Sequence, residues 1–137
     1  ISFGFPVIEA VARACTKPLD VHFMIVHPEN YIRQTARLGA MMMNVHYEAC
    51  THLHRTVQEI HDAGMKAGVT LNPTTPVVML EDIIGQLDMV LLMSVKAETA
   101  PRLVEAGVDV LVSGSYVFKS PHPEEAIRHL RNLGRTV

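Results

Sequence analysis

The chain has 137 residues and a mass of 15.2 kDa, enough for one hydrophobic core but too little for two separate domains. Hydrophobic residues make up 48% and charged residues 19%, which indicates a globular rather than a disordered protein. The net charge of −2 gives no reason to expect nucleic acid as a partner, and no apolar run is long enough to suggest a membrane span. Cys15 and Cys50 form no paired motif. Together with the lack of a signal-peptide pattern, this predicts free thiols and a cytoplasmic protein.

Helical and strand-like stretches alternate along the whole chain. Helices are predicted over residues 7–15, 28–39, 51–64, 76–85, 98–106 and 123–133, and strands over 19–26, 41–47, 67–71, 89–95 and 108–112. This alternation predicts a parallel sheet built from right-handed βαβ units, either as an open doubly wound sheet or as a (β/α) barrel. No glycine-rich nucleotide-binding motif follows any strand, which disfavours the nucleotide-binding versions of the fold.

Polar side chains share one predicted face of three neighbouring strands. Strict alternation places on this face His22 and Met24 from the first strand, Asn44, His46 and Glu48 from the second, and Thr70 and Asn72 from the third. Ligands of parallel α/β folds bind at the carboxyl ends of the strands, so these residues predict a binding site. The alternative is a set of buried polar groups that bond only to one another.

Several candidates stay open on the residues alone. His46 and Glu48 fit a ligand pair, a histidine oriented by its carboxylate, or a purely structural pair. Ser113-Gly114-Ser115 fits an anion-binding loop or a tight turn, and Met24 and Met93 fit ordinary core filling. His52 and His54 are more typical of surface or capping groups.

The junction of Val95 and Lys96 breaks the pattern, because a predicted strand meets a helical segment with almost no loop between them. Such loops normally take about two to six residues. We therefore expect that a stretch is missing at this point.

Six segments in this order and spacing resemble the ribulose-phosphate 3-epimerase family: LDVHFMIV (19–26), NVHYEA (44–49), LNPTTP (71–76), VLLMSV (90–95), ETAP (98–101) and VSGS (112–115). The resemblance implies a TIM-type (β/α)8 barrel of pentose phosphate metabolism. It also implies metal-dependent epimerisation of D-ribulose 5-phosphate to D-xylulose 5-phosphate, through proton transfer at C3 and an enediolate. The alternatives are an epimerase for a related ketose phosphate, such as allulose 6-phosphate, or an inactive barrel fragment.

The same resemblance implies roles for individual residues. It makes His22 a metal ligand at the substrate site, Met24 and Met93 substrate-binding residues, and Gly114 and Ser115 part of a phosphate-binding loop. The implied cofactor is a divalent metal ion, zinc first, with iron, manganese or cobalt as alternatives. The implied partners are a sugar phosphate and further copies of the chain in a homo-oligomer.

The chain also departs from the family pattern. The family's first two strands, with a His-x-Asp ligand pair, have no counterpart here, and neither does the segment expected between Val95 and Lys96. We therefore expect residues 1–137 to form a single partial barrel domain that lacks both catalytic aspartates. We also expect an intact protein heavier than 15.2 kDa.

Overall fold

The computed structural model describes residues 3–93, 100–105 and 112–133. The chain divides into two compact units, Ile1–Met93 and Ser94–Val137, and each is described by itself. Most of the predicted fifth strand, 108–112, and the junction of Val95 and Lys96 lie outside the described residues. That the chain forms a single domain therefore stays a prediction.

The first unit contains a four-stranded parallel sheet in sequence order. Its strands are β1 (Asp20–Phe23), β2 (Met42–His46), β3 (Lys66–Leu71) and β4 (Met89–Leu92). All three neighbouring pairs are parallel, and the register sets His22 opposite Asn44 and His46 opposite Thr70. The predicted α/β class is confirmed.

Strand β1 is shorter than the predicted 19–26. It ends at Phe23, and the side chains of Met24 and Val26 beyond it are mostly exposed. β1 lies at one edge of the described sheet, so it forms backbone hydrogen bonds with β2 alone. Beyond Phe23 the chain leaves this ladder and turns at His27, which adopts the left-handed conformation with φ of 53°.

Three α-helices accompany these strands: α1 (Phe5–Ala14), α2 (Ile32–Arg37) and α3 (Leu53–Asp62). Gly39 and Gly64 follow α2 and α3 with φ of 77° and 84°, as expected where a helix ends in a left-handed residue. The prediction of a helix over 76–85 is wrong. Two 3₁₀ turns, Val77–Leu80 and Ile84–Gln86, replace it, since β-branched residues lose side-chain freedom in an α-helix and only Leu80 is buried here.

The two faces of the sheet differ as the alternation predicts. The face covered by the helices carries apolar side chains, and the buried core there comprises Phe23, Ile32, Met43, Val45, Val57, Ile60, Ala67, Val69, Leu71 and Leu80. The opposite face carries His22, Asn44, His46 and Thr70, which the register brings side by side. The apolar face holds the unit together and leaves the polar face for a site.

The described part of the second unit consists of helices α4 (Ala100–Glu105), α5 (Ser115–Phe118) and α6 (Pro123–Leu133). The predicted helix over 123–133 is confirmed. Val117 of α5 and Ala126 of α6 are buried, whereas Gly114 and Ser115 are exposed at the start of α5. None of the described helices is both long and apolar enough to cross a membrane.

Candidate functional site

Two histidine rings meet on the polar face of the sheet. Nε2 of His22 lies 3.0 Å from Nε2 of His46, and the rings stack with centroids 5.0 Å apart and planes 22° from parallel. Partial burial lowers the pKa of His22, the neighbouring His46 lowers it further, and Asp20 opposes both without reversing them. His22 is therefore neutral near pH 7, and one ring nitrogen donates to the other.

Glu48 stands directly after β2, in the 3₁₀ turn Tyr47–Ala49. Its Oε1 accepts a hydrogen bond from the backbone N–H of Asn72 at 2.9 Å and a short one from the hydroxyl of Thr75. Its Oε2 lies 3.4 Å from Nδ1 of His46. The predicted proximity of His46 and Glu48 is thus observed, and Glu48 also joins β2 to the loop after β3.

Asn44 fills the space between β1 and β3 beneath the histidines. It is 1% exposed, and its Nδ2 donates a 2.5 Å hydrogen bond to Oδ1 of Asp20. The Asn44 amide lies so close to Gly68 that a Cβ on Gly68 would overlap it. Oδ1 of Asn44 and Oγ1 of Thr70 are buried without a protein partner, which leaves acceptor capacity in the sheet interior.

Sequence reasoning placed Asn44 and Thr70 on this face but missed the part played by Gly68. The available signal was a glycine inside a strand, which often marks a close approach of a neighbouring group. Which group approaches depends on the register of β2 against β3, and that register is not visible in either strand alone.

An open cleft of about 430 Å³ lies above the carboxyl ends of the strands. His46, Glu48 and Asn72 contribute its polar groups, and Met24 and Met93 contribute thioethers. Met24 is 66% exposed, so core filling does not explain it. The structure thus brings the two predicted methionines to one cleft, while their contact with substrate stays a prediction.

The remaining predicted site residues are not assembled into a site by the described residues. Gly114 and Ser115 belong to the second unit, and their phosphate-binding role stays a prediction. Among residues 3–93, 100–105 and 112–133, no three His, Cys, Asp or Glu side chains are grouped closely enough to hold a metal ion. His22 stays a predicted ligand. Cys15 and Cys50 are both free thiols, as predicted.

A parallel sheet whose polar groups gather at the carboxyl ends of its strands is the arrangement of (β/α)-barrel enzymes. Solved structures agree. The fold is similar to that of a 3-hexulose-6-phosphate synthase, with a TM-score of 0.61 over 93% of this chain and 79% of that one, at 17% identity. It is also similar to orotidine 5'-phosphate decarboxylase from Pyrococcus horikoshii OT3, with a TM-score of 0.61 over 96% and 82%, at 15% identity. At these identities the likeness shows the barrel fold alone.

Sequence comparison then identifies the family. Residues 1–98 match the pattern of the ribulose-phosphate 3 epimerase family. The ribulose-phosphate 3-epimerase of Bacillus subtilis (strain 168) is 37% identical, over 96% of this chain and 79% of the relative. That of Synechocystis sp. is 34% identical, over 98% and 76%. The chain belongs to the ribulose-phosphate 3-epimerase family, a family of isomerases, and the resemblance of the six sequence segments is confirmed.

The alignment with the Bacillus subtilis relative also bears on the predicted missing stretch. It runs over 171 positions, whereas this chain has 137 residues, so at least 34 aligned positions of the relative have no counterpart here. The family match ends at residue 98, close to the junction of Val95 and Lys96. Both findings agree with a missing stretch, and its place at that junction stays a prediction.

Proposed function

We propose that the protein interconverts D-ribulose 5-phosphate and D-xylulose 5-phosphate by proton transfer at C3. The observation that carries the proposal is the pairing of His22 with His46 beside a cleft walled by Met24 and Met93, in a chain of this family. The pair and the cleft lie at the carboxyl ends of parallel strands, where barrel enzymes bind their substrates.

The chemistry requires a proton to leave C3, which is acidified by the neighbouring ketone, and another to return on the opposite face. The resulting enediolate is planar, and apolar walls such as Met24 and Met93 suit its faces and exclude water. The 3.0 Å contact between Nε2 of His22 and Nε2 of His46 engages one nitrogen of each ring, which holds both imidazoles in place beside the cleft and leaves the other ring nitrogen of neutral His22 as an acceptor or ligand. The family resemblance places the two proton-transferring aspartates in segments that this sequence does not contain, so the proposal concerns the chain as part of a complete barrel.

The proposal includes a divalent metal ion, zinc first, with His22 as one ligand. Such an ion, when bound, polarises the ketone as a Lewis acid. The described residues supply two adjacent imidazoles but no third ligand, so they do not form a complete metal site. Phosphate binding by Gly114 and Ser115, a homo-oligomer and a cytoplasmic location are further parts of the proposal. The relative from Arabidopsis thaliana is named chloroplastic, so a cytoplasmic location needs its own measurement.

The test is turnover in D₂O. We expect the purified full-length protein, with its complete barrel, to convert D-ribulose 5-phosphate to D-xylulose 5-phosphate and to place deuterium at C3, both followed by NMR. Faster turnover of allulose 6-phosphate would assign the related epimerase instead, and no exchange with either sugar would contradict an epimerase.

Metal content tests the ligand assignment separately. We expect His22→Ala to lower bound metal, measured by elemental analysis after gel filtration. His54→Ala changes an exposed histidine of α3 and serves as the matched control. Equal metal in both variants would show that His22 is not a ligand.

A further inference from the structure

The carboxylate of Glu48 is held in place from two directions. It starts from the 3₁₀ turn after β2, and its Oε1 accepts hydrogen bonds from the N–H of Asn72 and the hydroxyl of Thr75 in the loop after β3. Both donors reach the same oxygen, so Oε2 is left for the third neighbour, Nδ1 of His46 at 3.4 Å. One backbone N–H and one side-chain hydroxyl of the loop after β3 therefore fix the position of this carboxylate.

Glu48 is ionised near neutral pH. Partial burial would raise its pKa, but the hydrogen bonds from Thr75, from the backbone N–H groups of Asn72 and Glu48 itself, and from His46 together lower it below the usual value. An ionised carboxylate only accepts hydrogen bonds. The contact of 3.4 Å is long for a hydrogen bond, yet the negative charge at this distance favours the form of His46 that carries its proton on Nδ1.

The position of the proton on His46 also determines the position of the proton on His22. With the proton of His46 on Nδ1, its Nε2 presents a lone pair towards Nε2 of His22 at 3.0 Å. Two facing nitrogens at this distance need one donor and one acceptor, so Nε2 of His22 carries the proton. The His46 side chain is only 12% exposed, so little water competes for either nitrogen.

We propose that Glu48 is a positioning residue, which holds His46 as the Nδ1–H tautomer and through it fixes the proton and the ring of His22. The inference rests on the proposed function, in which His22 meets the substrate. Without the charge of Glu48 the two rings have two arrangements of similar energy, with donor and acceptor exchanged. The competing explanation is that Glu48 only fastens the loop after β3 through Thr75 and Asn72.

The chain offers variants that separate these two roles. Glu48→Gln keeps the shape and an oxygen for Asn72 and Thr75 but removes the charge beside His46. Thr75→Ala weakens the loop attachment and leaves the carboxylate beside His46. Glu29→Gln is the matched control, because Glu29 pairs with Nδ1 of His27 at 3.2 Å with the same two-residue spacing, while the His27 side chain is 64% exposed and takes no part in the histidine pair.

The primary measurement is the protonation of each ring nitrogen, read from long-range ¹H–¹⁵N correlation spectra of the ¹⁵N-labelled protein without substrate. We expect wild type, Thr75→Ala and Glu29→Gln to show His46 protonated at Nδ1, and Glu48→Gln to shift the proton of His46 towards Nε2, because the amide NH2 group then faces Nδ1. His46 protonated mainly at Nε2 in wild type, or an unchanged spectrum in Glu48→Gln, would overturn the proposal.

The second measurement is turnover of D-ribulose 5-phosphate. We expect Glu48→Gln to lower kcat about 10- to 100-fold, with a smaller change in KM, since the loss of an orienting partner typically has this size. Glu29→Gln should stay near wild type, and Thr75→Ala should lose less activity than Glu48→Gln, because the carboxylate stays beside His46. A changed tautomer with unchanged kcat would refute the role in the reaction, as would an equal loss of kcat in Thr75→Ala. Wild type without any turnover would refute the proposed function alone, because the spectra need no substrate.

Discussion

Replacing Gly68 with alanine would place a new Cβ 2.5 Å from Cγ and 3.0 Å from Nδ2 of Asn44, and still closer to its Oδ1. Real Cβ atoms do not approach that closely, so the Asn44 amide must move. Asn44 is 1% exposed and has no free space at the surface to enter. Overpacking of this kind destabilises by about 1 to 3 kcal/mol. The lost hydrogen bond to Asp20, itself exposed, adds about 1 kcal/mol. We therefore expect Gly68→Ala to lower the free energy of unfolding by about 2 to 4 kcal/mol.

Urea unfolding followed by circular dichroism measures this change, and Gly85→Ala is the matched control. A Cβ added at Gly85 would meet no heavy atom within 4 Å, and Gly85 has no positive φ, so its substitution should change stability by less than about 1 kcal/mol. The double variant Gly68→Ala/Asn44→Ala removes the obstructing amide and should be more stable than Gly68→Ala alone. A loss below about 0.5 kcal/mol for Gly68→Ala, or no recovery in the double variant, would refute the predicted clash.

Three further predictions concern the first unit. Ile60→Ala removes a fully buried side chain from α3 and should cost about 2 to 5 kcal/mol in urea unfolding; a smaller loss would mean that the helix packs loosely on the sheet. The pKa of Asp88 lies below its usual 3.8, chiefly because the Ala67 N–H donates to the carboxylate, with His61 also contributing. The ionised Asp88 carboxylate therefore stabilises the folded state above its ordinary pKa, and this stabilisation is lost in acid. The difference in free energy of unfolding between wild type and Asp88→Asn should shrink as the pH falls below about 4. A difference that stays constant with pH would contradict this. Burial raises the pKa of Cys50 to about 11, whereas Cys15 is exposed, so a thiol reagent at about pH 8 should label Cys15 first, as read by peptide mass mapping. Equal labelling rates would show that Cys50 is more accessible than the structure indicates.

The parts of this fold that followed from sequence are those governed by local periodicity. The run Met43-Asn44-Val45-His46 alternates strictly, so the side that each residue faces was predictable before any neighbour was known. Helix ends at Gly39 and Gly64 were predictable for the same local reason.

What sequence could not supply depends on neighbours. The 3.0 Å contact of His22 with His46 requires that β1 lie beside β2 in one particular register, and neither strand states its register alone. The length of β1 and the 3₁₀ turns after β3 depend likewise on how many hydrogen-bonding and packing partners each segment finds.

Apolar and polar side chains alternate between the two faces of the sheet, and this limits which insertions and deletions its strands can accept. Loss or gain of one codon inside β2 would turn Met43 and Val45 towards the cleft and push Asn44 and His46 into the apolar core. Codons in the loops that join strands and helices carry no such penalty, because a loop absorbs the difference. The sheet therefore tolerates insertions and deletions in the loops beyond its strands but not within the strands.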